Sequence, residues 1–308
     1  MVDSRNSISN AGIGIMITYY NPDLLQSELQ LEAIHKQENI THICIVDNSA
    51  AELAIWNDRL SEQWPKVKYI SLGDNKGIAV AQNTGASYLF SKVDSIVFFD
   101  QDSLPADNMV ASLVKSYEQV SAIEKYNIGG IGPRAINTQT GVAYKAKLKK
   151  GIAVAEGIQV TKLTELISSG TLIRKEVWEK TGGMDEALFI DAVDHEWCWR
   201  AREKGGYSFF IDETAHLYHA LGEGDKKILG INFKGIPKPV RCYYLYRNYL
   251  LLVRRSYVPL YWKLMSGCKF SLKFFFYPVF LENGRMYLKY ILKGIKDGVA
   301  GKGGRVDW

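Results

Sequence analysis

Short apolar runs alternate with stretches of helical periodicity through roughly the first hundred residues, and this alternation restricts the fold more than any other property of the chain. Gly12–Thr18 (GIGIMIT) reads as a strand closed by the turn Tyr20-Asn21-Pro22. Leu24–Gln37 carries Leu25, Leu29 and Ile34 at helical spacing. A second buried strand, Ile43–Val46, stops at Asp47-Asn48-Ser49; Glu52–Gln63 is predicted as a helix and Val67–Leu72 as a third strand. The turn Gly73–Gly77 leads into a helix over Ile78–Phe90, and Ile96–Phe99 makes a fourth strand. Parallel strands need long crossovers, usually helical, so this order predicts an α/β fold: a mostly parallel sheet flanked by helices.

The pattern continues with a helix over Asn108–Glu124 and a strand over Ile128–Ile131, then weakens between Asn137 and Glu165, which reads as loop with a hairpin. Ser168–Ile173 is predicted as a strand and Lys175–Thr181 as a short helix stopped by Gly182-Gly183. Asp194–Lys204 is predicted as a helix with Asp194 as its N-cap, followed by two strands, Tyr207–Ile211 and Ala215–His219.

In an open parallel sheet, ligands sit beyond the carboxyl ends of the strands. Asp47, Asp74, Asp100 and Asp102 all fall there. Asp100 and Asp102 lie at i and i+2, so an extended chain aims both carboxylates the same way. Two hard oxygen ligands suit Mg2+ or Mn2+ with positions left open for a phosphorylated substrate. A turn in which Asp and Ser bond their own backbone is the plainer use of the same residues. Asp47 is placed to accept from the imide N–H of a pyrimidine, or else caps a turn. Asn75, Gly77 and Asn83 form a turn entering a helix whose backbone N–H groups can approach a nucleotide.

Composition narrows the class. The 308 residues are 47% apolar, enough for a large domain, and the four cysteines have no metal-type spacing, which reads as reduced thiols. The first ten residues are polar and give no reason to expect export. The net charge of +5 is unevenly spread: Lys234–Trp308 holds 15 Lys and Arg against 3 Asp and Glu, a local +12 that leaves −7 for the rest. An acidic body with a basic, aromatic end is not a nucleic-acid pattern; it fits a catalytic domain with a membrane-surface anchor.

Several motifs, in order, resemble glycosyltransferase family 2: Asp47-Asn48-Ser49; Asn75-Lys76-Gly77-Ile78-Ala79 with Asn83 and Gly85; and Phe99-Asp100-Gln101-Asp102-Ser103. Ser169-Gly170-Thr171, Gly182-Gly183-Met184-Asp185-Glu186, Phe189-Ile190-Asp191 and Val193-Asp194-His195-Glu196-Trp197-Cys198 resemble its acceptor-side block. The Asp-Gln-Asp-Ser form is most similar to bacterial rhamnosyltransferases of O-antigen and capsule assembly. The resemblance covers roughly residues 11–255. It implies a GT-A catalytic domain over 1–235, with a donor half over 11–135 and an acceptor half over 165–235. Residues 236–308 are then a helical, basic extension.

Implied with the fold is an inverting, metal-dependent transfer of a sugar from its nucleotide. Tyr20, Asp47, Asn75, Gly77, Asn83 and Gln101 are the expected donor-nucleotide contacts. Asp100 is expected to serve both ribose and metal, with Asp102 and His219 completing the metal site. The base is expected to be Asp194, at a helix N-terminus whose dipole favours a carboxylate. The chain departs from the family's Glu-Asp pair by placing Val193 before it, so Asp191 and Glu196 compete for the role. Ser169, Gly170, Glu196, Trp197 and Arg247 are the expected acceptor or diphosphate residues, although Trp197 reads equally as core and Arg247 as a surface side chain.

Tyr257–Leu281 is aromatic-rich but interrupted by Lys263, Lys269 and Lys273, too polar to span a bilayer. Helices lying in the membrane interface, or a helical subdomain packed on the core, are the two readings. The expected partners are dTDP-L-rhamnose as donor, a polyprenyl-diphosphate-linked glycan as acceptor, the inner face of a bacterial membrane reached from the cytoplasm, and a second copy of the chain. A UDP-hexose or galactofuranose donor is the same-class alternative. A sugar-nucleotide nucleotidyltransferase and a non-catalytic glycan-binding protein are alternatives from other classes.

Overall fold

The predicted strands of the first hundred residues all form: Ile13–Tyr19, Ser95–Asp100 and the end of Ile40–Asp47 are apolar enough to be covered on both faces, while Val67–Ser71 is a partly exposed edge. The computed structural model describes residues 8, 12–138, 141–143, 152–155, 157–219, 226–228, 231–233 and 236–307. β1 (Ile13–Tyr19) is buried at every position, as a central parallel strand requires. It is followed by α1 (Leu24–His35), capped by the Asp23 carboxylate accepting from Gln26 N–H at 2.9 Å, and by β2 (Ile40–Asp47).

The helix expected over Glu52–Gln63 forms only in its second half. A single 3-10 turn at Ala51–Leu53 is followed by extended chain, and α2 begins only at Asp58 (Asp58–Gln63). Asn57 explains the late start: its Oδ1 accepts from Leu60 N–H at 3.1 Å, which makes it an N-cap. Trp56, just before it, stacks on Tyr69 at 5.2 Å.

The remaining elements follow as β3 (Val67–Ser71), α3 (Ile78–Leu89), β4 (Ser95–Asp100), β5 (Ser103–Pro105), α4 (Met109–Ser121) and β6 (Ile128–Asn137). The weak region supplies a hairpin, β7 (Ile152–Ala155) and β8 (Ile158–Leu163). β9 is the short Leu172–Arg174, and α5 (Lys175–Thr181) and α6 (Val193–Gly205) follow. The two strands expected over Tyr207–Ile211 and Ala215–His219 are one strand, β10 (Ser208–His219), whose register shifts against β6 between Asp212 and His216. That irregularity is held by the buried Asp212 carboxylate, which accepts from Thr214 N–H and Oγ1 at 2.8 and 2.7 Å. A second hairpin, β11 (Lys226–Ile228) with β12 (Ile231–Phe233), precedes three long helices: α7 (Pro239–Val253), α8 (Leu260–Phe280) and α9 (Gly284–Val299).

The described strands of the main sheet run β3-β2-β1-β4-β9-β6-β10-β8-β7, with β5 added against β10. β3, β2, β1 and β4 are mutually parallel, and β9 enters antiparallel between β4 and β6. One buried apolar cluster lies on each face. The cluster holding Met16, Phe98 and Trp197 also contains Leu252, Val258 and Trp262, so the basic C-terminal helices share a core with the sheet domain. The edge-on contact of Trp199 with Trp262 at 4.9 Å is part of that junction.

Candidate active site

The carboxyl ends of β1, β2 and β4 lie side by side: Tyr19 pairs with Asp47, and Thr18 with Asp100. Asp100 and Asp102 come off the end of β4, while His219 arrives from the end of β10, drawn in by the antiparallel pairing of β5 with β10 that sets Ser103 opposite it. Ligand atoms of Asp100, Asp102 and His219 all lie within 4.8 Å of one another. His219 Nδ1 is 3.3 Å from Asp102 Oδ1 and 2.7 Å from Ser103 Oγ. The hydroxyl of Ser169 donates to Ser103 Oγ at 2.8 Å and accepts from Asp100 N–H at 3.1 Å. Gln30 ties the same turn from below, donating to the carbonyls of Asp100 and Ser103 at 2.6 and 2.7 Å.

The charges of the cluster act on one another. Burial pushes the Asp100 carboxyl up to about 6, the charges of Asp102 and Asp194 push the same way, and His219 opposes them. Burial works against the protonated form of His219, but the bond to Asp102 and the charges of Asp102 and Asp100 outweigh it and raise its pKa. Two carboxylates and an imidazole, clustered and partly desolvated, fit a divalent cation, and the imidazole accords better with Mn2+ than with Mg2+.

Asp194 lies in the first turn of α6, near enough for its charge to act on Asp100. It is not the N-cap: Ala192, in a left-handed conformation (φ 64°), holds that place, and the Asp194 carboxylate accepts from His195 N–H at 2.8 Å. Of the competing acids, Asp191 is engaged by Arg241 at 2.7 Å. Glu196 is fully buried and bound by Arg200 Nε at 2.8 Å, Tyr257 Oη at 2.6 Å and Arg255 at 3.1 Å. The pairing expected of Arg200 with Asp185 or Glu186 is thus replaced by Glu196, and Asp185 pairs with Arg255.

The donor-side residues divide into two groups. Tyr20 is exposed, and its N–H donates to Gln101 Oε1 at 2.6 Å, joining the ends of β1 and β4. Asp47 is enclosed: its carboxylate accepts from Ser49 N–H at 2.9 Å and Tyr69 Oη at 2.7 Å, so a nucleobase imide would be a further donor on a side chain with no exposed surface. The backbone amides expected to cradle a nucleotide are already used. Lys76 N–H donates to Asn48 Oδ1 at 2.7 Å, Gly77 N–H to Asn75 Oδ1 at 3.1 Å and Ile78 N–H to the Phe189 carbonyl at 2.8 Å. Gly77 is needed for shape: at φ +94° a Cβ would come within 2.7 Å of the Phe189 carbonyl oxygen. Asn83 reaches away from the donor side and bonds both N–H and C=O of Met184, at 2.7 and 3.0 Å.

Three acceptor-side expectations are corrected by burial. Trp197 is core: its ring packs 5.7 Å from Trp178 and its indole N–H donates to Gly182 O at 2.8 Å. Arg247 is fully buried, donating to the carbonyls of Leu188 at 2.8 Å and Ala187 at 3.0 Å, and to Gly304; it braces the loop before α6 and contacts no phosphate site. Gly170 (φ +78°) packs against Pro133, where a Cβ would lie 2.5 Å from the ring. Ser103 was not anticipated as a site residue, although its place directly after the acidic pair was the available signal.

A mostly parallel sheet with two carboxylates and an imidazole that could hold a metal ion at its carboxyl edge, and a further carboxylate nearby, is an arrangement that suits a glycosyltransferase of GT-A type. Residues 15–180 match the Glycosyl transferase family 2 profile, and the chain belongs to this family. It is 37% identical over 258 residues to the "dTDP-rhamnosyl transferase RfbF" of Shigella flexneri, covering 82% of this chain and 83% of that protein. Among solved structures it resembles GalNAc-T7 with UDP, GalNAc and Mn2+ (TM-score 0.59, 15% identity, 94% of this chain and 55% of that one). It also resembles residues 1–349 of S. aureus TarS in complex with UDP (TM-score 0.55, 11% identity, 96% of this chain and 94% of that one). These distant structures support the fold.

Proposed function

We propose that the chain transfers L-rhamnose from dTDP-L-rhamnose to a glycan carried on a polyprenyl diphosphate, in the assembly of a bacterial surface polysaccharide such as O-antigen. The donor is taken from the relative's substrate, and the observation that carries the reaction is the Asp100–Asp102–His219 cluster with Asp194 near it. Mn2+ or Mg2+ held by these three side chains supplies charge neutralisation for the departing diphosphate. Tyr20, exposed at the end of β1 and bonded to Gln101, receives the nucleotide. Asp194 accepts the proton of the acceptor hydroxyl as its oxygen bonds to the anomeric carbon, and the bond from that carbon to the dTDP oxygen breaks, inverting the configuration.

Membrane contact is assigned to α8. Leu260, Leu264, Leu272, Phe275 and Val279 are all exposed and fall on one side of this helix, and Arg285, Lys289 and Lys296 are exposed on α9, which packs beside it. An apolar stripe flanked by cations fits the interface of an anionic bilayer. Lys263, expected to face headgroups, instead donates to Arg255 O at 2.7 Å, and Lys273 lies over the Tyr277 ring. No described helix is long and apolar enough to cross a membrane. We read the exposed stripe of α8 as the surface that would hold the protein on the cytoplasmic face of the inner membrane.

Asp194→Asn tests the chemistry. Mn2+-dependent dTDP affinity should stay within about twofold while transfer falls by about 10²–10⁴. Near-normal transfer would move the base elsewhere.

A further inference from the structure

Beyond α9 the chain turns at Gly301 (φ +75°) and runs back across the loop that precedes α6. Gly304 N–H donates to Ala187 O at 2.8 Å, Val306 N–H donates to Tyr244 Oη at 3.2 Å, and Val306 is buried with Phe189 and Tyr243. Gly303 passes so close that a Cβ would sit 2.6 Å from that of Ala187. Between these anchors Arg305 turns outward, half exposed, and ion-pairs with Asp74 while donating to Asn75 O at 3.4 Å. Tyr20 is near enough to act on its charge.

The turn that Arg305 grips is otherwise built from its own bonds and those of Asn48. The strap has anchors that do not involve the Arg305 side chain, so that side chain is not needed to hold it down. What the guanidinium adds is a tie between the acceptor-side loop and the turn after β3, at the sheet edge where ligands of such folds bind. One guanidinium nitrogen makes both contacts, the ion pair with Asp74 and the longer bond to Asn75 O, so the tie is chiefly one of charge.

We propose that Arg305 is a positioning residue for the nucleotide donor, holding the Asp74–Gly77 turn, to which Asn48 is bonded, in place at the donor side through a strap that joins both halves of the site. This rests on the donor reading above. The test is calorimetric titration of dTDP with Mn2+ into the full chain and into Arg305→Ala, Arg305→Lys and Arg305→Glu, with melting temperatures alongside. Arg305→Ala should bind about fivefold more weakly, the scale of one partly exposed ion pair, with Arg305→Glu weaker still. Arg305→Lys should recover most of the loss, and melting should be unchanged. Wild-type affinity in Arg305→Ala, or a loss that appears only together with a lowered melting temperature, would overturn the proposal. If the wild-type chain itself binds no dTDP, the donor reading fails first.

Discussion

Ser103 has no ligand atom for a cation in our reading, yet it sets the ring that does. Its hydroxyl lies between Ser169 and His219 Nδ1, so it selects the tautomer and tilt of the imidazole. Ser103→Ala should therefore weaken Mn2+-supported dTDP binding by about tenfold while the fold persists, as loss of an orienting partner does at metal sites. Titrations at several Mn2+ concentrations measure this, and unchanged affinity would remove the orienting role. Residue type and spacing made the Asp100/Asp102 pair legible, although Asp102 lies in the turn after β4 and not on the extended strand that an i, i+2 alignment requires. They did not reveal burial. Glu196, Trp197 and Arg247 belong to types that bind sugars and phosphates, and only their partners make them structural members: Arg200, Arg255 and Tyr257 for Glu196, Trp178 and Gly182 for Trp197, and the carbonyls of Ala187 and Leu188 for Arg247. The amides around Gly77 were misread for the same reason: their acceptors, Asn48 and Phe189, come from other segments.

At the level of elements, α7 and α9 are clipped together by a buried carboxylate. Asp297 accepts from Tyr243 Oη at 3.0 Å and pairs with Lys293 and Lys302, each at 3.3 Å. Burial alone would push this carboxyl up, but those three partners outweigh it and hold its pKa below the usual carboxylate range. A folded-state pKa below the unfolded value of about 3.9 means that the stabilisation is complete above that value and is lost as pH falls through the folded pKa. Melting curves should show Asp297→Asn destabilised at neutral pH and converging on wild type below about pH 4. A constant gap across the range would contradict this linkage. The major strands and helices were legible because their periodicity is long and regular. Short-range devices were not: Asn57 capping α2 late, and Asp212 knitting two apparent strands into β10, are decided by single side chains.

For the whole molecule, the charge asymmetry was readable in the sequence, while the joining of the basic helices to the sheet domain was not. Trp262 and Leu252 look like any apolar residues until the shared core is seen. Removing everything after Arg255 would consequently strip the core, and the membrane reading is better tested by point changes on α8. The pair Leu272→Glu and Phe275→Glu alters exposed positions only, so melting should be preserved. Cosedimentation with anionic vesicles should fall by at least about tenfold, since each lost apolar side chain removes on the order of 1.5–3 kcal/mol of interfacial burial. Undiminished cosedimentation would assign membrane contact to another surface.

The proposed reaction requires a divalent cation at the end of β4. Calorimetry of dTDP binding, run with Mn2+, with a chelator, and with Asp102→Ala in Mn2+, tests that dependence most directly. Tight binding is predicted only for the wild-type chain with Mn2+; equal affinity in chelator, or in Asp102→Ala, would contradict the account.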